Sequence, residues 1–169
     1  MEMKTVYVLI GLKGSGKTYT GKLLSERLAI PFLRVEDIFL KLRSNNLLED
    51  QNYITRGYEN VEKEIRSLLN GFDELTIEST GIAIQFREMI SNLKKDYDVK
   101  LIKIDTDPEL CIKRVKSRNR SGHIPVSDEM LIEINKLSES ISYDYDLIFK
   151  NNNTTDDELI FEFIKAFGE

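Results

Sequence analysis

The feature that most restricts this chain is an eight-residue stretch near its start, Gly11-Leu12-Lys13-Gly14-Ser15-Gly16-Lys17-Thr18. Before it runs Val6-Tyr7-Val8-Leu9-Ile10, an apolar, β-branched run that reads as a fully buried strand. After it, Leu23, Leu24 and Leu28 fall on one face of a helical pattern. Strand, glycine loop and helix together match G-x-x-x-x-G-K-[ST] at every fixed position. Gly11, Gly14 and Gly16 let the backbone turn with its N–H groups inward, a nest that side chains would obstruct. The helix beginning near Lys17 adds unpaired N–H groups and the positive end of its dipole. Lys17 then reaches the β and γ phosphates of a nucleotide, and the Thr18 hydroxyl faces Mg²⁺. Lys13 and Ser15, inside the loop, and Tyr19, just after it, join the nucleotide-binding candidates. An ordinary glycine turn would match the fixed positions in roughly one chain of this length in a few hundred. It would not need the flanking strand and helix.

A chain of 169 residues is one domain, 1–169, large enough for a single core. With 41% hydrophobic and 31% charged residues it reads as a soluble globular protein. No 18-residue apolar run or cleavable signal pattern occurs, so a cytoplasmic protein without membrane contact is expected. One cysteine, Cys111, fits a reducing compartment and falls on the buried face of a helix, where it reads as a core thiol. The net charge of −5 disfavours nucleic acid as a partner of the whole surface. No exposed apolar stripe stands out, and a monomer or weak dimer is expected.

Taken in order, the chain alternates between the strand and helix periods of an α/β protein. Ala29 to Val35 reads as a second strand with Pro31 at its start, and Glu36 and Asp37 lie at its carboxyl end. From about 37 to 70 the sequence is helical and charged, broken by polar ground from Ser44 to Asn52, with Arg56 and Gly57 just beyond. Leu75-Thr76-Ile77 is a third strand ending at Glu78-Ser79-Thr80-Gly81, and Val99 to Asp105 a fourth. Asp107-Pro108 opens the next helix, whose far end carries Lys113, Arg114, Lys116, Arg118 and Arg120. Ser127 caps another helix, with Val126 and Leu131 as a hydrophobic staple. Asp146 to Phe149 is the fifth strand, followed by the turn Asn151-Asn152-Asn153. Thr155 and Glu158 form a capping box before the last helix. Five strands separated by helices give a parallel sheet with helices on both faces, and ligands bind beyond the carboxyl ends of such strands.

The loop, the polar helical insertion after strand two, the Arg-rich segment after strand four and the closing turn together resemble the P-loop small-molecule kinases, the group of shikimate, gluconate and adenylate kinases. The resemblance implies a P-loop NTPase sheet of order 2-3-1-4-5. It implies an acceptor-binding insertion at about 37–70 and a lid at about 116–126. It implies ATP and Mg²⁺ as cofactors and a small-molecule phosphoryl acceptor as partner. Arg114 and Arg118, four apart, resemble the adenylate kinase pair in which one arginine stacks on adenine and the next reaches phosphate; Arg120 is a second lid candidate. Asn152, in the closing turn, joins the nucleotide-binding set.

The acceptor side departs from shikimate kinase. Two aspartates of that enzyme's second strand correspond here to Arg34 and Glu36, its three glycines after strand three to Ser79-Thr80-Gly81, and its acceptor-binding arginine falls near Tyr58 or Glu59. Glu36 is the first candidate for the carboxylate that accepts or orients the acceptor proton, and Glu78 the second. Glu36 is also placed to act as a helix N-terminal acid, and Glu78 or Asp105 could belong to the metal shell. Thr80 and Gly81 are candidate acceptor contacts. Arg56 and Arg34 could bind an anionic group on the acceptor or pair with Glu59 or Glu62. His123 reads as a solvent-exposed loop histidine. The lid and the insertion are expected to stand open or disordered until substrate draws them closed. A GTPase would carry N-K-x-D, and the nearest match, Asn135-Lys136-Leu137-Ser138, lacks the aspartate. The remaining alternatives to an ATP- and Mg²⁺-dependent kinase are a P-loop nucleotide hydrolase and a non-catalytic nucleotide-binding module.

Overall fold

The computed structural model of the chain describes residues 2–44, 52–118 and 121–168. Its strands are β1 (Thr5–Ile10), β2 (Phe32–Leu33), β3 (Glu74–Ser79), β4 (Asp98–Asp105) and β5 (Leu147–Lys150). Its helices are α1 (Lys17–Leu28), α2 (Val35–Ser44), α3 (Tyr53–Gly71), α4 (Ile84–Leu93), α5 (Pro108–Ser117), α6 (Asp128–Ser140) and α7 (Asp156–Phe167). The strands form one sheet of order β2-β3-β1-β4-β5 with every pair parallel. This is the α/β P-loop NTPase architecture that the alternation of periods and the family likeness imply.

β1 is central, and its two faces feed two cores. Val6, Val8 and Ile10 pack with Val61, Ile65 and Leu69 of α3 and Phe86, Met89 and Leu93 of α4. Tyr7 and Leu9 pack with Leu23 and Leu24 of α1 and Leu159 and Phe163 of α7. A strand buried on both faces has no need of alternation, which is why this stretch is apolar throughout.

The second strand is shorter than expected. Ala29 takes a left-handed conformation (φ 57°) to close α1, and the Pro31 carbonyl accepts from Thr76 N at 2.8 Å before the two-residue ladder begins. Val35 already opens α2, so Glu36 and Asp37 sit in a helical first turn, where their charge suits the dipole. α5 also stops early. Arg118 is extended (φ −76°, ψ 156°), so Arg114 and Arg118 do not share a helix face. The fifth strand begins one residue late, because the Asp146 carboxylate caps the Leu101 N–H at 2.7 Å. The Ser127 cap and the Thr155–Glu158 capping box form as expected, and Cys111 is buried. No helix among the described residues is long and apolar enough to cross a membrane.

Within the insertion, α2 and α3 meet in a close approach. A Cβ on Gly57 would stand 2.2 Å from the Phe39 ring, which itself packs edge-on against Tyr53 and Tyr58. A Cβ on Gly71 would meet nothing within 4 Å. Gly57→Ala should therefore lower stability by about 1–3 kcal/mol through overpacking despite its better helix propensity. Gly71→Ala should raise it by about 0.4–1 kcal/mol. Urea unfolding of both variants checks the pair, and equal shifts would contradict the packing argument.

Candidate active site

The glycine loop turns over the carboxyl end of β1 and is packed from behind. Gly14 and Gly16 have φ of 85° and 101°, and a Cβ on them would stand 2.3 Å from the Cys111 carbonyl and 2.4 Å from Asn151 Nδ2. Gly16 offers no side-chain cap to α1, so the first-turn N–H groups take no partner from the cap residue's side chain. Lys17 is buried and its Nζ donates to the carbonyls of Gly11 and Leu12 at 2.8 and 2.7 Å. Burial lowers its pKa to about 8, with the charge of Glu78 opposing. Ser15 Oγ is buried without a hydrogen-bond partner among the described residues. This set fits the phosphates of a nucleotide: a cradle that side chains would fill, unsatisfied donors and a cation at its floor.

Around the loop, the Ser15 carbonyl accepts from Thr106 Oγ1 at 2.8 Å and from Asn151 Nδ2 at 2.8 Å. Arg114 donates to the carbonyls of Asn151 and Asn152 at 3.1 and 3.2 Å. Asn152 Oδ1 accepts from Asp107 N at 2.8 Å. Arg114 and Asn152 thus meet at one edge of the cradle, while Tyr19 is exposed on its outer side with its hydroxyl donating to Asp156 at 2.7 Å. Thr18 lies half-buried in the first turn of α1.

At the start of α2, Glu36 is the centre of a network. Its Oε1 accepts from Ile124 N at 2.7 Å, and its Oε2 lies 3.0 Å from Arg34 Nη2 and 3.3 Å from His123 Nδ1. Arg34 also donates to Asp37 at 2.6 Å and to the Gly122 carbonyl at 2.7 Å. Arg34 therefore pairs with Glu36 and Asp37, not with Glu59 or Glu62. Burial raises the Glu36 pKa, but the Ile124 N–H and the charges of Lys13, Arg34 and His123 outweigh it and hold the carboxyl below its ordinary value. His123 is not a solvent-exposed loop residue, since its side chain is 22% exposed. Burial and then the Arg118 charge lower its pKa against the pull of Glu36. The described part of the lid is docked on the start of α2 rather than open, because Glu36 and Arg34 give it two charged anchors. Arg120 and residues 45–51 of the insertion lie outside the described residues.

Glu78 is buried at the end of β3. Burial raises its pKa, while the Lys17 charge and the N–H of Glu36 pull the other way. Burial likewise lowers Lys13, which feels Glu36, Arg118 and Glu78 in turn. Lys13, Lys17, Glu36, Glu78 and Arg118 thus share one electrostatic environment. Thr80 and Gly81 follow directly, with Gly81 at φ 78° and its carbonyl bonded by the Tyr143 hydroxyl. Thr80 lines a cavity of about 150 Å³ with Gly11, Leu12, Asp105, Ser138 and Tyr143. Arg56 lies in the first turn of α3.

Two contacts were not foreseen from the sequence. Asn151 was visible only as part of a turn. Asn135, noticed in a failed guanine motif, accepts from Lys13 N at 3.0 Å and donates to Lys13 O at 3.3 Å.

Comparison with known proteins agrees with this geometry. A shikimate kinase of Thermodesulfovibrio yellowstonii is 30% identical over 95 residues, 56% of this chain and 54% of that enzyme. The chain thus spans about half the length of the curated relative it matches. The shikimate kinase structure from Bacteroides thetaiotaomicron superposes with a TM-score of 0.70 at 15% identity, covering 99% of this chain and 100% of that one. A sugar kinase structure from Janibacter sp. HTCC2649 gives 0.70 at 14% identity, covering 98% and 94%. Both are similar in fold. The family model described as AAA domain matches residues 6–137, so the glycine loop and four of the five strands lie within one matched unit, and the chain belongs to that P-loop family.

Proposed function

We propose that the protein is an ATP- and Mg²⁺-dependent phosphotransferase that moves the γ-phosphoryl group of ATP to a hydroxyl or phosphate of a small molecule. The observation that carries this reading is the Lys17 cradle at the carboxyl end of β1 with one buried carboxylate, Glu78, at the end of the neighbouring β3 and a second, Glu36, held by Ile124 N and Arg34 at the start of α2. A phosphate-binding loop alone would serve a switch or a hydrolase; carboxylates held on its acceptor side suit transfer to a second substrate.

In this reading the inward N–H groups of Gly14 to Thr18 bind the β-phosphate, and Lys17 draws the β and γ oxygens together. Arg118, extended beyond α5 and facing Glu36, meets charge on the transferring group from the lid side, with Arg120 as a second candidate. Arg114 and Asn152 frame the base, and Tyr19 borders the α-phosphate end. Mg²⁺ would be held by Thr18, Glu78, phosphate oxygens and water. When bound, the ion would neutralise charge between the β and γ phosphates. Glu36, charged and already hydrogen-bonded, orients the acceptor hydroxyl with its remaining lone pairs. The loose transition state of phosphoryl transfer asks little basicity of it. Arg56, Thr80 and Gly81 complete the acceptor side.

ADP release from Mg·ATP, measured with pooled sugars, hydroxy acids, nucleosides and nucleoside monophosphates, tests the reading. One pool should stimulate release, and Lys17→Ala should abolish it. Release without any stimulation would assign a hydrolase, and binding without turnover a nucleotide-binding module. Glu36→Gln, which keeps the Ile124 contact but loses the charge, should cost about 10²-fold in kcat. Full turnover in that variant would remove Glu36 from the transfer step. The pH dependence is set by Lys17. Because its pKa is lowered to about 8, the ammonium is complete on the acid side of that value and lost on the alkaline side. Mg·ADP affinity should therefore fall as pH rises through about 8, and the step should vanish in Lys17→Ala.

A further inference from the structure

α6 begins at the end of the lid and touches the site at two levels. Just over two turns beyond its Ser127 cap, the Asn135 amide pairs with both polar atoms of the Lys13 peptide, accepting from N at 3.0 Å and donating to O at 3.3 Å. One turn further, Ser138 Oγ donates to the Thr80 carbonyl at 2.8 Å. Both side chains are buried, Asn135 at 4% exposure. The helix's other end continues into Gly122, His123 and Ile124, which are bonded to Arg34 and Glu36.

We propose that Asn135 is a positioning residue that fixes the crest of the glycine loop from the lid helix, so that lid docking and nucleotide affinity are coupled through α6. The geometry is specific. An amide side chain presents one acceptor and one donor in the spacing of a peptide, and it satisfies both Lys13 groups where no strand or helix can reach them. A rigid helix that carries the lid at one end and grips the loop in its middle cannot move at one without straining the other. Ser138 makes the same kind of contact to the β3–α4 turn and serves as an internal comparison.

The inference rests on the cradle being a nucleotide site. Calorimetric titration of Mg·ADP into the wild type, Asn135→Ala, Asn135→Asp and Ser138→Ala decides it, with urea unfolding of each nucleotide-free protein alongside. Asn135→Asp keeps the acceptor for Lys13 N–H but sets a carboxylate oxygen against Lys13 O. Both Asn135 variants should bind Mg·ADP at least tenfold more weakly, and Ser138→Ala within twofold of wild type. Arg34→Ala, which frees the lid from its anchor, should weaken Mg·ADP in the wild-type background and add nothing in the Asn135→Ala background. Wild-type affinity in Asn135→Asp, equal losses in Ser138→Ala, or additive effects of Arg34→Ala and Asn135→Ala would each overturn the proposal. A wild type that binds no Mg·ADP would overturn the nucleotide reading itself and the clamp with it.

Discussion

A loop that turns its N–H groups inward must turn its carbonyls outward, and here they point into protein rather than water. A buried carbonyl without a partner is costly, so each has to be met. Lys17 meets those of Gly11 and Leu12, Asn135 meets Lys13, and Ser15 is met by Thr106 and Asn151 together. The partners come from α1, α6, the end of β4 and the end of β5. The sheet order that puts β4 and β5 beside β1 is thus also what satisfies the back of the loop. A phosphate site of this kind cannot be a surface graft; the α/β frame and the cradle stand or fall together.

The start of α2 obeys a different rule, that of charges taken partly out of water. Glu36 and Arg34 are 15% and 16% exposed, a degree of burial at which breaking the pair leaves an uncompensated charge. Each is therefore surrounded by further partners, Ile124 N and His123 for the one, Asp37 and the Gly122 carbonyl for the other. Those partners belong largely to the lid. The same desolvation that would make Glu36 a stronger base is outweighed by the groups that bury it, so its carboxyl is held below its ordinary value.

Much of this was legible in the sequence because it is local. A glycine motif between a strand and a helix, the Ser127 cap just before two acids, Thr155 three residues before Glu158, and Pro108 in a first turn are all decided by neighbours in the chain. What escaped was decided by distant ones. β2 shrank to two residues because Ala29 and Val35 were claimed by the helices on either side. Arg118 left the α5 face because the helix closed at Ser117, which periodicity among charged residues could not reveal. His123 looked like a loop residue, and only the approach of Arg34 and Glu36 from 87 to 89 positions away buries it. Asn135 shares the buried face of α6 with Leu131 and Ser138, and its partner lay 122 residues back.

Lys17 and Glu78 show how the two halves of the site are linked. Each is buried, and burial pushes each toward its neutral form, Lys17 downward and Glu78 upward, while each also opposes the shift in the other. Removing either charge therefore makes the other less stable as an ion. A polyphosphate entering the cradle adds negative charge beside both. It must favour the ammonium of Lys17 and disfavour the carboxylate of Glu78, so phosphate binding and proton uptake become one equilibrium. A divalent cation arriving with the phosphates acts in the opposite sense at Glu78. Burying a cation and an anion in one electrostatic environment thus ties the protonation of each to whatever charge enters the loop.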